Sequence, residues 1–302
     1  MNTSAKVDRR DSLKLAKTLT LASAGILAFS ATQAAAAVDI SHKIKIAGDL
    51  RMFTQRMALS AAFVMLDVEK DHYLEVLTEE YDEFTDDIDA LRNGDPEFSM
   101  APEENALVLE AINTVEFGWS VLGPPLKDVI DTGTVDDEHF SAIEHVNTQV
   151  MTLTDSLIHR ILLEYKDAIP LDLAYQIDVV GSLRMLSQKM IKEAILVALE
   201  FEAEAHHEML VGSMQLFRFD LDKLAGNMAH NEHTLPAATG EFAEHLTHAE
   251  HCWVKLQPIL EKLDQTHAVE YAEVLELAHE ADVILAALDA MNEILIKQAD
   301  EA

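Results

Sequence analysis

The sequence predicts an all-α fold, two tandem four-helix bundles behind an N-terminal signal peptide, and three observations carry that reading. The chain matches itself when slid by 133 positions, and its few glycines and prolines fall at breaks. Between the breaks lie segments rich in Ala, Leu, Glu and Met, with apolar residues at 3.6-residue spacing.

The first element is the leader. Lys6, Arg9, Arg10, Lys14 and Lys17 precede an uncharged stretch from Thr18 to Ala37, whose apolar centre is Leu19 to Phe29 and whose end is alanine-rich. Small residues there suit signal peptidase, which places cleavage near Ala37. Arg9-Arg10 followed by Leu13 and Lys14 resembles a twin-arginine signal. A span needs about 20 apolar residues, and Ser, Thr and Gln dilute this stretch. A cleaved leader, residues 1–37, is therefore expected rather than a retained anchor. No later apolar run reaches membrane length, so the expectation is a periplasmic chain without stable membrane insertion.

Removing residues 1–37 leaves 17 basic groups against 52 acidic ones. A surface so acidic repels nucleic acid and anionic lipid, and any anion must be drawn in by a local positive pocket. Cys252 is the only cysteine. An intrachain disulfide, a CxxCH haem site and a cysteine-rich metal centre are thereby excluded.

The repeat divides the rest into unit 1, residues 38–169, and unit 2, residues 170–302. Ile44, Gly48, Leu50, Arg51, Met52, Gln55 and Met57 align with Ile177, Gly181, Leu183, Arg184, Met185, Gln188 and Met190. Phe84, Asp87, Asp89 and Leu91 align with Phe217, Asp220, Asp222 and Leu224. After a one-residue insertion, Trp119 aligns with Trp253 and Asp155 with Asp289, so both tryptophans read as core anchors. Helices are expected near 40–70, 72–93, 103–131 (kinked at Pro124-Pro125) and 136–168. In unit 2 they are expected near 171–204, 206–229, 236–264 and 267–299.

The first helix of each unit has two faces. Ile46, Leu50, Phe53, Met57, Ala61 and Val64 form an ordinary core stripe. Ile44, Gly48, Arg51 and Gln55, with Ile177, Gly181, Arg184 and Gln188 in the second copy, lie on the opposite side. A glycine inside a helix costs about 1 kcal/mol relative to alanine, and close approach of another helix is the usual reason for it. If the two first helices cross at Gly48 and Gly181, Arg51 and Arg184 enter the same space. Two guanidiniums about 6 Å apart repel by roughly 3 kcal/mol at an effective dielectric near 20. A small planar oxyanion between them removes the repulsion and accepts paired hydrogen bonds, with Gln55 and Gln188 completing the shell.

The segment Ile44 to Met57, and more closely Ile177 to Met190, resembles the signature of the periplasmic sensor domains of nitrate/nitrite sensor kinases. It is similar also to the N-terminal domain of type IV pili methyl-accepting chemotaxis transducers, the PilJ type. The resemblance implies a four-helix bundle that holds one nitrate between equivalent arginines, a part that falls here to Arg51 and Arg184 within one chain. Gly48 and Gly181 match the motif glycine, and Arg56 and Lys189 its trailing basic position. Ile46 and Val179 replace the kinases' lysine. Lys45 aligns with Asp178 and Asp49 with Ser182, so the two half-sites have diverged.

Histidines supply a second candidate, since nine of the fourteen lie after residue 200. Glu244, His248 and His251 share one helical face, with His206, His207, His230 and His233 as further groups, a set that suits a first-row metal. No Gly-rich phosphate loop, nucleophile elbow or HExxH is found, and neither an enzyme nor a cofactor is expected. The leading expectation is a periplasmic module that holds nitrate or nitrite and reports to a membrane receptor, sensor kinase or pilus component. The alternatives are a metal-binding helical protein and a ligand-free scaffold.

Overall fold

A computed structural model describes residues 9–227 and 235–301, with side chains from residue 35 onward. Among the described residues there are eight helices: α1 (Arg9–Met65), α2 (Lys70–Asn93), α3 (Ala106–Thr132), α4 (Asp137–Glu164), α5 (Leu171–Ala198), α6 (Ala203–Leu224), α7 (Gly240–Thr266) and α8 (Tyr271–Glu301). The first four and the last four pack as tandem bundles. Within the described residues no helix is long and apolar enough to cross a membrane. The side chains of residues 1–34 of the leader and the pair His230 and His233 lie outside the residues described.

Local chemistry sets the boundaries. The Asn105 side chain caps α3 by accepting from the amides of Leu107 and Val108. Asp136 caps α4 in the same way, accepting from the His139 amide at 2.8 Å. Helices α1 and α5 stop several residues earlier than expected, and neither stop contains glycine or proline. Instead the amides of Val68 and Phe201 reach back to the carbonyls of Phe63 and Leu196, five residues earlier, at 3.0 Å each. Asp67 and Glu200, both at φ 57, take the left-handed position that glycine usually fills in this C-terminal motif. The same unusual turn is thus written twice. Helix α3 runs on through Pro124 and Pro125. The two carbonyls they leave without donors belong to the exposed Ser120 and Val121, which face solvent.

The bundles share one interface, and α1 against α5 is its centre. Both faces of these helices are buried, the outward stripe of Ile44, Gly48, Arg51 and Gln55 included. A Cβ added at Gly48 would lie 4.0 Å from the Gly181 Cα, which is ordinary contact; one at Gly181 would meet an Arg51 guanidinium nitrogen at 3.3 Å. Alanine at Gly48 therefore meets ordinary contact, whereas at Gly181 the Arg51 side chain must give by a few tenths of an ångström. Trp119 stacks on Phe84 at 4.2 Å and its counterpart Trp253 meets Phe217 at 5.4 Å, each within its own unit.

Candidate functional site

Arg51 and Arg184 stand one helical turn beyond the crossing glycines, 4% and 6% exposed. Arg51 Nη1 donates to Asp155 Oδ1 at 2.8 Å, and its Nη2 lies 3.4 Å from Asp178 Oδ1. Arg184 Nε donates to Asp289 Oδ1 at 2.5 Å, and its Nη1 pairs with Asp49. Asp155 and Asp289 are equivalent in the repeat, so each unit supplies one carboxylate to its own arginine. The second carboxylate comes from the other unit in both cases, at positions where the copies differ: Asp49 aligns with Ser182, and Asp178 with Lys45.

This changes the picture drawn from the sequence. There both guanidiniums turned toward one added oxyanion. Here each is met by its own pair of aspartates, because a buried cation must find a counter-charge and four nearby residues of the chain provide it. The rest of the expected shell is likewise engaged elsewhere. Gln55 donates to Thr54 Oγ1 at 3.3 Å, and its own carbonyl oxygen is buried without a partner. Gln188 accepts from Arg56 Nη1 at 3.2 Å and donates to the Ala281 carbonyl at 3.0 Å. Arg56 also pairs with Glu80 at 2.6 Å and Asp282 at 2.7 Å. Its counterpart Lys189 donates only to Ser213, at 3.3 Å, since Ser213 stands where unit 1 has Glu80, and burial lowers its pKa.

Arg184, Lys45, Arg56, Asp49 and Asp289 line a groove of about 280 Å³, together with Glu79, Glu80 and Glu83 of α2. Burial pushes the Asp49 carboxyl up, but Arg184 and Lys45 more than reverse this and hold it below the usual range. Glu80 goes the other way. Burial raises it to about 8, and the Arg56 charge only partly opposes that. Burial and the charge of Asp49 push the half-buried Asp87 up to about 8 as well. A carboxyl whose pKa rises on folding takes up a proton as the chain folds, so stability falls as pH rises from the ordinary carboxylate range to about 8. The melting temperature should therefore drop between pH 5 and pH 8.5, at about 2–4 °C per kcal/mol lost. Glu80→Gln with Asp87→Asn should flatten that slope; an unchanged slope would remove these two groups as its cause.

Glu244, His248 and His251 are exposed on the solvent face of α7 and do not come together as a metal site. Helical periodicity put them on one face, but that face carries no second element to supply further ligands. Among the described residues the group close enough to share an ion is Glu144, Glu193 and His206. Of these only His206 stood out in the sequence. The two glutamates gave no signal, since they differ between the copies.

The family profile described as type IV pili methyl-accepting chemotaxis transducer N-terminal domain, PilJ, matches residues 34–142 and again residues 171–277. A search of curated proteins gives no match. The two matched segments cover well over half of the chain, begin within four residues of corresponding points of the repeat and each contain the Gly-Arg-Gln helix, so the chain belongs to the PilJ N-terminal domain family and carries that sensory module twice.

Proposed function

We propose that this is an exported periplasmic sensory module, its leader (1–37) cleaved and its units (38–169 and 170–302) closed on one another. In this reading it takes a small oxyanion, nitrate or nitrite, at the arginines of the α1–α5 contact and relays occupancy to a membrane partner such as a receptor, sensor kinase or pilus component. One observation carries the reading: two buried guanidiniums, one per unit, each bound by planar carboxylate oxygens of the kind an oxyanion imitates. The resemblance to nitrate/nitrite sensor domains supports it.

The aspartates set the terms of binding. Asp49 and Asp289 act as internal competitors that keep Arg184 neutralised when no ligand is present. An incoming anion displaces at least one of them, and because they belong to α1 and α8, the displacement changes how the two units are tied together. Binding is accordingly weaker than two bare arginines would give.

Nitrate and nitrite should raise the melting temperature of the mature chain, and Arg51→Ala or Arg184→Ala should abolish the rise. Asp49→Asn should move the nitrate midpoint to lower concentration, tenfold for about each 1.4 kcal/mol of competition removed. Equal stabilisation of wild type and both arginine variants would refute the anion site. A chain that ignores anions yet captures a membrane protein would favour the scaffold.

A further inference from the structure

We propose that Glu144, Glu193 and His206 form a binding site for one first-row divalent cation, buried where unit 1 meets unit 2. The three side chains come from α4, α5 and α6 and are 5%, 0% and 2% exposed. They offer one ligand atom each, and these atoms lie within 4.8 Å of one another.

The hydrogen bonds leave a deficit that a cation would fill. Glu193 Oε2 pairs with His206 Nδ1, a contact that an ion held by both residues would replace. Lys192, fully buried, pairs with Glu144 Oε1 and lies 3.4 Å from Glu193 Oε1. After those contacts Glu144 Oε2 and His206 Nε2 remain buried without a partner, and Glu193 Oε1 keeps only the 3.4 Å contact with Lys192. Buried polar atoms are ordinarily satisfied, and two orphans beside one weakly held carboxylate oxygen point to a missing positive centre.

The other half of the molecule shows that the fold does not need this cluster. Under the repeat, Leu59, Ser60, Tyr73 and Ala278 stand at the positions of Lys192, Glu193, His206 and Glu144. There Tyr73 simply donates to the Ala278 carbonyl at 3.0 Å. An uncharged contact thus does the structural work in one half, while the other half buries four ionisable groups at the same place. One imidazole and two carboxylates without sulfur suit zinc, manganese or another borderline divalent ion rather than copper(I).

The test uses the untagged mature chain, stripped with chelator, with Zn²⁺ and Mn²⁺ as probes. Calorimetry should give one equivalent bound and a raised melting temperature. The four-residue change Glu144→Ala, Lys192→Leu, Glu193→Ser and His206→Tyr copies the unit 1 contact and should fold while losing the bound ion. His206→Gln, which disturbs packing least, should weaken affinity at least about tenfold, the usual cost of a lost ligand or its support. No binding by the wild type overturns the site. So does one-equivalent binding that survives in His206→Gln or in the four-residue variant, since it would place the ion on exposed histidines such as His248 and His251.

Discussion

Replacing Arg184 by alanine should cost the folded chain about 3–5 kcal/mol, the usual penalty for removing one partner of a buried ion pair. The penalty comes less from the lost attraction than from what is left behind. Asp49 is 5% exposed, and without Arg184 it keeps only Lys45, at 2.7 Å, to offset its charge. For a chain of this size the loss corresponds to a fall of roughly 10 °C in melting temperature. Arg184→Lys should restore part of it, since an ammonium serves one carboxylate but cannot span Asp49 and Asp289 as the fork does. Adding Asp49→Leu to the Arg184→Ala variant should also recover stability, because it removes the stranded charge. Thermal and urea unfolding of the series would show this, and a loss under about 1 kcal/mol would mean that water reaches Asp49.

The second large effect is expected at Lys192, which is fully buried between Glu144 and Glu193. Lys192→Leu alone should destabilise the apo chain by about 3–5 kcal/mol, because it leaves two carboxylates in an apolar setting. Its pKa stays above the ordinary value, with burial opposed by the two glutamates, so the ammonium is the form that must be replaced. The four-residue change that copies Leu59, Ser60, Tyr73 and Ala278 should return to near wild-type stability, as buried ion networks often do when exchanged for well-packed neutral groups. Urea midpoints of the apo proteins measure both. If the single variant is as stable as wild type, the network is not charge-coupled as described.

Much of this molecule could be read from its residues. The repeat, the helix count and the crossing at Gly48 and Gly181 follow from apolar spacing and from glycines too costly to sit idle on an exposed face. The turns after α1 and α5 were hidden because Asp67 and Glu200 hold a left-handed conformation usually signalled by glycine. The arginines were legible as a matched pair, yet their partners were not. Asp155 and Asp289 are visible as a repeat match, but more than 100 residues separate each from its arginine, and only packing joins them. Asp49 and Asp178 stood out only as places where the copies disagree, which marks the half-sites as diverged without showing that each carboxylate meets the other unit's arginine. The same blindness applies to Glu144, Lys192 and Glu193, whose chemistry exists in one half alone.

Covalent linkage of the two bundles has a consequence for what the interface can hold. In a homodimer every substitution appears twice across the axis, so an acidic residue placed opposite an arginine is also placed beside its own mirror image. A single polypeptide escapes that constraint. It can set Asp49 against Arg184 and Asp178 against Arg51 from unrelated positions, and give each flank an ionic network of its own, Arg56 with Glu80 and Asp282 on one and Lys192 with Glu144 and Glu193 on the other. The molecule therefore has a left and a right, and a stimulus arriving at one seam need not be echoed at the other.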